Sequence, residues 1–158
     1  MSDSPESVVE EVVEDLPSEA AGNELAVLTA DLQRLQAEYA NYRKRIERDR
    51  ALAHDLAIGA VLTELLPILD DLDRAREHGE LEGGFKAVAD QLANVTTRIG
   101  LEKYGEEGTA FNPQIHEALL HSTSPDVTEP TASAILQPGY KFKERVLRPA
   151  RVAVTDPE

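Results

Sequence analysis

The sequence predicts an α+β protein with a long N-terminal coiled-coil helix, a helical pair that forms a dimeric four-helix bundle, and a small C-terminal β domain. Three observations lead to this prediction. A heptad repeat of apolar residues starts at Leu25, two broader helical stripes follow it, and short alternating segments replace the helical period after Gly100. Aromatic residues make up only 4% of the 158 residues, which is typical of extended helices rather than of a large globular core.

Composition and charge exclude several classes of protein. The chain has no cysteine, which excludes disulfides, thiolate catalysis and cysteine-ligated metal. The net charge of −14 disfavours nucleic acid as a partner, because such binding depends on neutralising phosphates. On this first view, we expect no apolar run that approaches the roughly 18 residues of a membrane span, and the acidic N-terminus lacks the basic region of a secretory signal. We therefore expect a cytoplasmic protein.

Residues 1–23 are predicted to form a disordered acidic tail. They contain Asp and Glu but neither Lys nor Arg, and they include Pro5, Pro17 and Gly22. A segment with so little apolar surface cannot offset the entropy lost on ordering.

Residues 24–58 are predicted to form a coiled-coil stalk helix, with Asn23 as its N-cap. Sustained steps of three and four residues mark a seam between two helices, and the chain has no second segment of matching length, so we expect a homodimer. Farther along the same register, Asp49 and Ala53 weaken the seam. This end of the stalk is either frayed or built to open. The predicted dimer contacts of the stalk are Leu25, Leu28, Leu32, Leu35, Tyr39, Tyr42 and Ile46.

Residues 59–108 are predicted to supply two helices to a dimeric bundle. Pro67 would kink a continuous first helix or lie in an early turn of a new one. A turn around Gly79–Gly84 ends the first helix, and a second stripe starts at Phe85. Two helices cannot enclose a core alone, but two copies make a four-helix bundle. The predicted dimer contacts of the bundle are Leu62, Leu65, Leu69 and Leu72.

Residues 109–158 are predicted to form a β domain. We expect strands at Ala118–Ser122 and Ala134–Gln137, followed by a hairpin-like pair across Tyr140–Val154. Pro138-Gly139 fits the centre of a type II turn, with a positive φ at the glycine. Pro149 cannot donate a ladder hydrogen bond, so its strand is an edge strand or is broken there.

No arrangement of residues predicts catalysis or metal binding. His116 and His121 are five residues apart, whereas a zincin helix needs a spacing of four. The basic run Arg43–Arg45 follows the heptads, whereas the basic region of a leucine-zipper protein precedes them. We interpret this run as a solvated helix face or a protein contact. We expect no enzymatic activity, no metal and no cofactor.

Two stretches carry a family resemblance. Phe111-Asn112-Pro113 precedes His116-x-Ala118, Gln137-Pro138-Gly139-Tyr140 and the segment from Val146 to Val154. In the bundle segment, the residues from Glu64 to Ala75 read ELLPILDDLDRA. The chain resembles the GrpE family, the nucleotide-exchange factors of DnaK-type chaperones.

The resemblance implies a parallel homodimer that grips the nucleotide-binding domain of a DnaK-type chaperone and releases ADP, in protein folding and the heat-stress response. The positive patch at residues 134–154 independently favours an acidic protein surface as partner. It holds five basic residues against the single acid Glu144: Lys141, Lys143, Arg145, Arg148 and Arg151. The alternative is a structural coiled-coil scaffold with a β-module head. For Leu136 and Tyr140, simple packing in the β core is as consistent with the sequence as partner contact. The candidate contacts are Arg43, Lys44, Leu56 and Arg74 on the helices, and Leu136, Gln137, Gly139, Tyr140 and Arg148 in the β domain.

Overall fold

The computed structural model describes residues 18–158, and the fold is α+β as predicted. The chain forms two compact units, Met1–Ala51 and Leu52–Glu158, here called the N-terminal and C-terminal units. Most of the predicted disordered tail lies outside the described residues. Its last residues are helical, because the first helix, α1, already begins at Glu19.

Helix α1 spans Glu19–Glu77. The side-chain Oγ of Ser18 accepts a hydrogen bond from the backbone N–H of Ala21 at 3.3 Å, so Ser18 caps the first turn. The prediction that Asn23 is the N-cap is therefore wrong. The helix continues through Pro67, and it ends just before Gly79, whose φ of 71° is the left-handed conformation that favours glycine at a helix end.

One 18-residue window of α1, with a mean hydropathy of 1.6, is long and apolar enough to cross a membrane. The expectation that no apolar run approaches this length is therefore corrected. The same composition occurs in core helices of soluble proteins. Leu62, Leu66 and Leu69 of α1 are buried against the strands of the same chain, so part of the apolar surface of this helix is covered within the protein.

In the N-terminal unit, the described part of α1 carries its apolar seam on the surface. Leu25, Leu28 and Leu32 are exposed, and farther along the rings of Tyr39 and Tyr42 stack with centroids 6.5 Å apart. The guanidinium of Arg45 lies 5.7 Å from the centroid of the Tyr42 ring. The heptad residues therefore have no partner within the described part of this single chain.

In the C-terminal unit, helix α2 and seven strands follow α1. Helix α2 spans Gly83–Ile99 and ends at Gly100, whose φ is 116°. A three-stranded antiparallel sheet has the order β1-β5-β6, and a four-stranded sheet has the order β2-β4-β7-β3, in which β3 and β7 are parallel. The strands are β1 Leu101–Tyr104, β2 Thr109–Ala110, β3 His116–Ser124, β4 Thr131–Gln137, β5 Gly139–Phe142, β6 Arg145–Arg148 and β7 Ala150–Pro157.

The structure refines the predicted β domain. The strands expected at Ala118–Ser122 and Ala134–Gln137 are present as β3 and β4. The hairpin is confined to β5 and β6, because the strand is interrupted at Pro149, as predicted. The following strand, β7, belongs to the other sheet. The predicted type II turn is wrong: Gly139 does not have a positive φ and begins β5 instead.

Two apolar clusters hold the C-terminal unit together. In the first, α1 packs on the three-stranded sheet through Leu62, Leu66, Leu69, Leu101, Tyr140 and Phe142. In the second, small and β-branched residues fill the four-stranded sheet: Ala132, Ala150, Val152 and Val154. Val152 is central there, since it lies opposite Ala118 of β3 and Ile135 of β4.

Candidate partner-binding site

A two-pronged ion pair joins α1 to the end of β6. The Nη1 and Nη2 atoms of Arg148 lie 2.6 Å and 2.8 Å from the two carboxylate oxygens of Asp70. The side chains are only 19% and 15% exposed, respectively. Burial raises the pKa of the Asp70 carboxyl, but hydrogen bonds from Arg148 and Gln137 outweigh it, so the pKa lies below its usual value. Arg148 therefore points into the protein rather than forming an exposed charge.

The same guanidinium holds the junction between β4 and β5. Its Nη2 and Nε donate to the Pro138 carbonyl oxygen at 2.8 Å and 3.3 Å. Gln137 donates from Nε2 to Asp70 at 3.0 Å and accepts from Arg151 Nη1 at 3.3 Å. A polar network thus runs from α1 through the end of β4 to β7.

A groove lies beside this network, between α1 and the four-stranded sheet. Leu119 and Leu136 are 50% and 49% exposed, so the packing alternative for Leu136 does not apply in this chain. The groove combines these two leucines with charged groups at its edges, as protein-binding surfaces do. Its lining comprises Asp70, Asp73, Arg74, Glu77, Leu119, Leu136, Gln137, Pro138 and Arg151.

Gly139 and Tyr140 lie beneath the surface. Tyr140 is 4% exposed in the first apolar cluster, and burial is the main cause that raises its pKa to about 12. A Cβ atom at Gly139 would lie 2.3 Å from Cζ of Tyr104 and 2.7 Å from the backbone N of Ala150. The glycine is therefore required by close packing. For Tyr140, the structure supports core packing.

Tyr104 and His116 organise the region around the FNP motif. The Tyr104 hydroxyl donates to the carbonyl oxygens of Ile115 at 2.8 Å and Arg148 at 3.1 Å. His116 is buried, and its Nδ1 accepts from the backbone N–H of Asn112 at 3.1 Å. Burial lowers the pKa of the imidazole. His116 is thus a hydrogen-bonded structural residue.

The helix candidates are on the surface. In the N-terminal unit, Arg43 and Lys44 are exposed, and Arg43 faces Glu47 at 4.0 Å. In the C-terminal unit, Leu56 and Arg74 are exposed, and Arg74 lies 3.3 Å from Asp71. These positions leave the four side chains accessible to a partner.

The structure divides the expected bundle contacts into two groups. Leu62 and Leu69 are buried against the chain's own sheet, whereas Leu65 and Leu72 are partly exposed. The turn of the helix places a second apolar stripe on the surface of α1, and α2 presents another. The exposed members of these stripes are Val61, Ile68, Phe85, Val88 and Ile99.

Sequence reasoning missed several residues of this region. Asp70 is not among the predicted site residues, although it follows four residues after the buried Leu66 and therefore lies near the core-facing stripe of α1. Tyr104, Leu119 and Arg151 carried no local signal, because their neighbours come from distant strands. Among residues 18–158, no group of three or more potential metal ligands comes together.

Comparison with known proteins settles the family. The sequence model of GrpE matches residues 3–156. The chain belongs to the GrpE family. It is 64% identical over 130 residues to protein GrpE 1 of Streptomyces avermitilis, covering 82% of this chain and 59% of the relative. It is 62% identical over 130 residues to protein GrpE of Streptomyces coelicolor, covering 82% of this chain and 58% of the relative.

A more distant GrpE, from Mycolicibacterium paratuberculosis, is 50% identical over 138 residues, covering 87% of this chain and 60% of the relative. The chain thus spans less than two thirds of the length of these curated relatives. The family assignment from the C-terminal signature and the ELLPILDDLDRA segment is confirmed.

Proposed function

We propose that this protein binds the nucleotide-binding domain of a DnaK-type chaperone and promotes ADP release, as a cytoplasmic co-chaperone in protein folding and heat stress. The observation that carries the proposal is membership of the GrpE family over nearly the whole chain. The activity needs no covalent chemistry and no cofactor, so the protein acts by binding and is not an enzyme.

The exchange factor has only to bind the open chaperone more tightly than the closed one. A thousandfold acceleration of ADP release corresponds to roughly 4 kcal/mol of barrier lowering. A few buried anchors with a polar rim can supply such a difference. In the groove, Leu119 and Leu136 are suited to be the anchors, and Arg74 and Arg151 are suited to the rim. Arg43 and Lys44 give the N-terminal unit its own basic surface for an acidic partner.

The active form is a homodimer. In the N-terminal unit, an exposed heptad of Leu and Tyr residues is too apolar to remain in water, and a second copy is the simplest partner. In the C-terminal unit, the exposed stripes that include Val61, Ile68, Phe85 and Val88 suit a bundle with the same helices of a second copy. Light scattering that gives the monomer mass at micromolar concentration would contradict this assembly.

Release of labelled ADP from a DnaK-type chaperone tests the proposed function. The full chain should accelerate release, and Leu136→Ser should weaken that effect. Leu120→Ser is the matched control, because Leu120 is also an exposed leucine on a strand but does not line the groove. A scaffold without exchange activity would leave the release rate unchanged. Equal losses in both variants would exclude the groove as the contact surface.

A further inference from the structure

The ion pair between Asp70 and Arg148 lies beside the groove, and its geometry leaves it little capacity to bind a partner directly. Each oxygen of Asp70 is within 2.8 Å of an Arg148 nitrogen, and Oδ2 also accepts from Gln137. Arg148 donates to Pro138 as well. The polar atoms of both groups are therefore engaged within the protein.

The network instead controls the segment that carries Leu136. Pro138 lies two residues beyond Leu136, and its carbonyl oxygen is held by Arg148. Gln137, which lies between Leu136 and Pro138, is hydrogen-bonded to Asp70 on α1 and to Arg151 on β7. The exposed leucine is thus followed by two residues that are both tied to the ion pair.

We infer that Asp70 and Arg148 are positioning residues, which fix Leu136 and the groove against α1 so that the surface fits the chaperone. The inference rests on the proposed function and assigns the pair a role within it. It differs from direct contact, in which Arg148 would offer its charge to an acidic surface. A direct contact needs the charge alone, whereas positioning needs the two-pronged geometry that only a guanidinium provides.

The experiment uses the full chain and compares Asp70→Asn, Arg148→Lys and the double variant. Asp55→Asn is the matched control: Asp55 lies on the same helix and pairs at 2.6 Å with Lys143, in the turn between β5 and β6, but that lysine is more than half exposed, and Asp55 does not line the groove. The measured quantity is the concentration of each variant that gives half-maximal acceleration of ADP release. Circular dichroism at the assay temperature establishes the folded fraction.

We expect each single change to raise the half-maximal concentration about tenfold, which is the scale of one charge-assisted hydrogen bond lost. The half-maximal concentration of the double variant should be no higher than that of either single variant, because the two side chains act as one unit. The control should remain within about twofold of the unaltered chain. Hydrogen exchange at the backbone amides of Gln137 and Gly139 should become faster in the variants while the helical signal stays unchanged.

Several results would overturn the inference. Wild-type activity in Arg148→Lys would mean that charge alone suffices. Additive losses in the double variant would mean that the residues act separately, and unfolding of the single variants at the assay temperature would make the pair a stability element. If the unaltered chain fails to accelerate ADP release, the proposed function fails and this inference fails with it. If the unaltered chain is active and Asp70→Asn is equally active, the inference is overturned but the proposed function stands.

Discussion

Gly139→Ala is a sharp test of the packing between the two sheets. The new methyl group would lie 2.3 Å from Cζ of Tyr104 and 2.7 Å from the backbone N of Ala150, both far inside van der Waals contact. The Tyr104 ring would have to move, and its hydroxyl would lose the carbonyl oxygens of Ile115 and Arg148. Overpacking costs about 1 to 3 kcal/mol, and each lost hydrogen bond costs about 0.5 to 1.5 kcal/mol. We therefore expect a loss of about 2 to 6 kcal/mol.

Urea unfolding at a fixed protein concentration measures this loss as a lower midpoint with an unchanged slope. Gly84→Ala is the control, since nothing lies within 4 Å of a Cβ atom there and the residue is inside α2. Alanine favours a helix interior by about 0.5 to 1 kcal/mol over glycine, so the control should be as stable as the unaltered chain or slightly more so. If Gly139→Ala is as stable as Gly84→Ala, the close approach of Tyr104 does not constrain this position.

Three further predictions concern other parts of the molecule. Burial lowers the pKa of His116, so the folded state favours the neutral imidazole. The free energy of unfolding should therefore be highest above about pH 6.5, the ordinary pKa of the imidazole, and should decline as the pH falls below it. His116→Gln should flatten this decline, as measured by urea unfolding between about pH 5 and 8. Leu62→Ala should cost about 2 to 5 kcal/mol in the same assay, because Leu62 is 1% exposed, whereas the exposed Leu52→Ala should stay within about 0.5 kcal/mol. The stalk should melt before the rest of the protein, because its predicted seam is weakened at Asp49 and Ala53, so circular dichroism should show two thermal transitions. Asp49→Leu should raise the lower transition and leave the upper one nearly unchanged, since a charged residue weakens the proposed dimer seam. A single transition that shifts as a whole would exclude a separately melting stalk.

The helices could be predicted from the sequence because their signals are local. Apolar spacing located the stripe that begins near Leu62, and glycines located the end of α1. The same spacing could not tell which neighbour the stripe contacts. Leu62 and Leu69 were assigned to a second copy, but in this chain they are buried against β strands that lie far along the sequence. Periodicity reports that a face is apolar, and tertiary packing decides what covers it.

The errors in the β domain have the same origin. Pro138-Gly139 has the composition of a type II turn, but the glycine is needed because Tyr104 and Ala150 approach it closely. That requirement comes from residues more than ten positions away. For the candidate site, the sequence left Leu136 open between core packing and partner contact. It also could not distinguish the engaged Arg148 from an exposed arginine, because its partner Asp70 lies on another element.

The order of strands in the four-stranded sheet has a consequence for synthesis of the protein. Strand β7 is the last of the seven strands along the chain, yet it lies between β4 and β3 and pairs with both. During translation, β3 and β4 therefore leave the ribosome without the strand that joins them. Since domains are made from the N-terminus, α1 and α2 can form early, while the sheet waits for Ala150–Pro157. A chain interrupted before β7 would leave β3 and β4 without the strand that joins them and would expose the backbone edges that β7 covers.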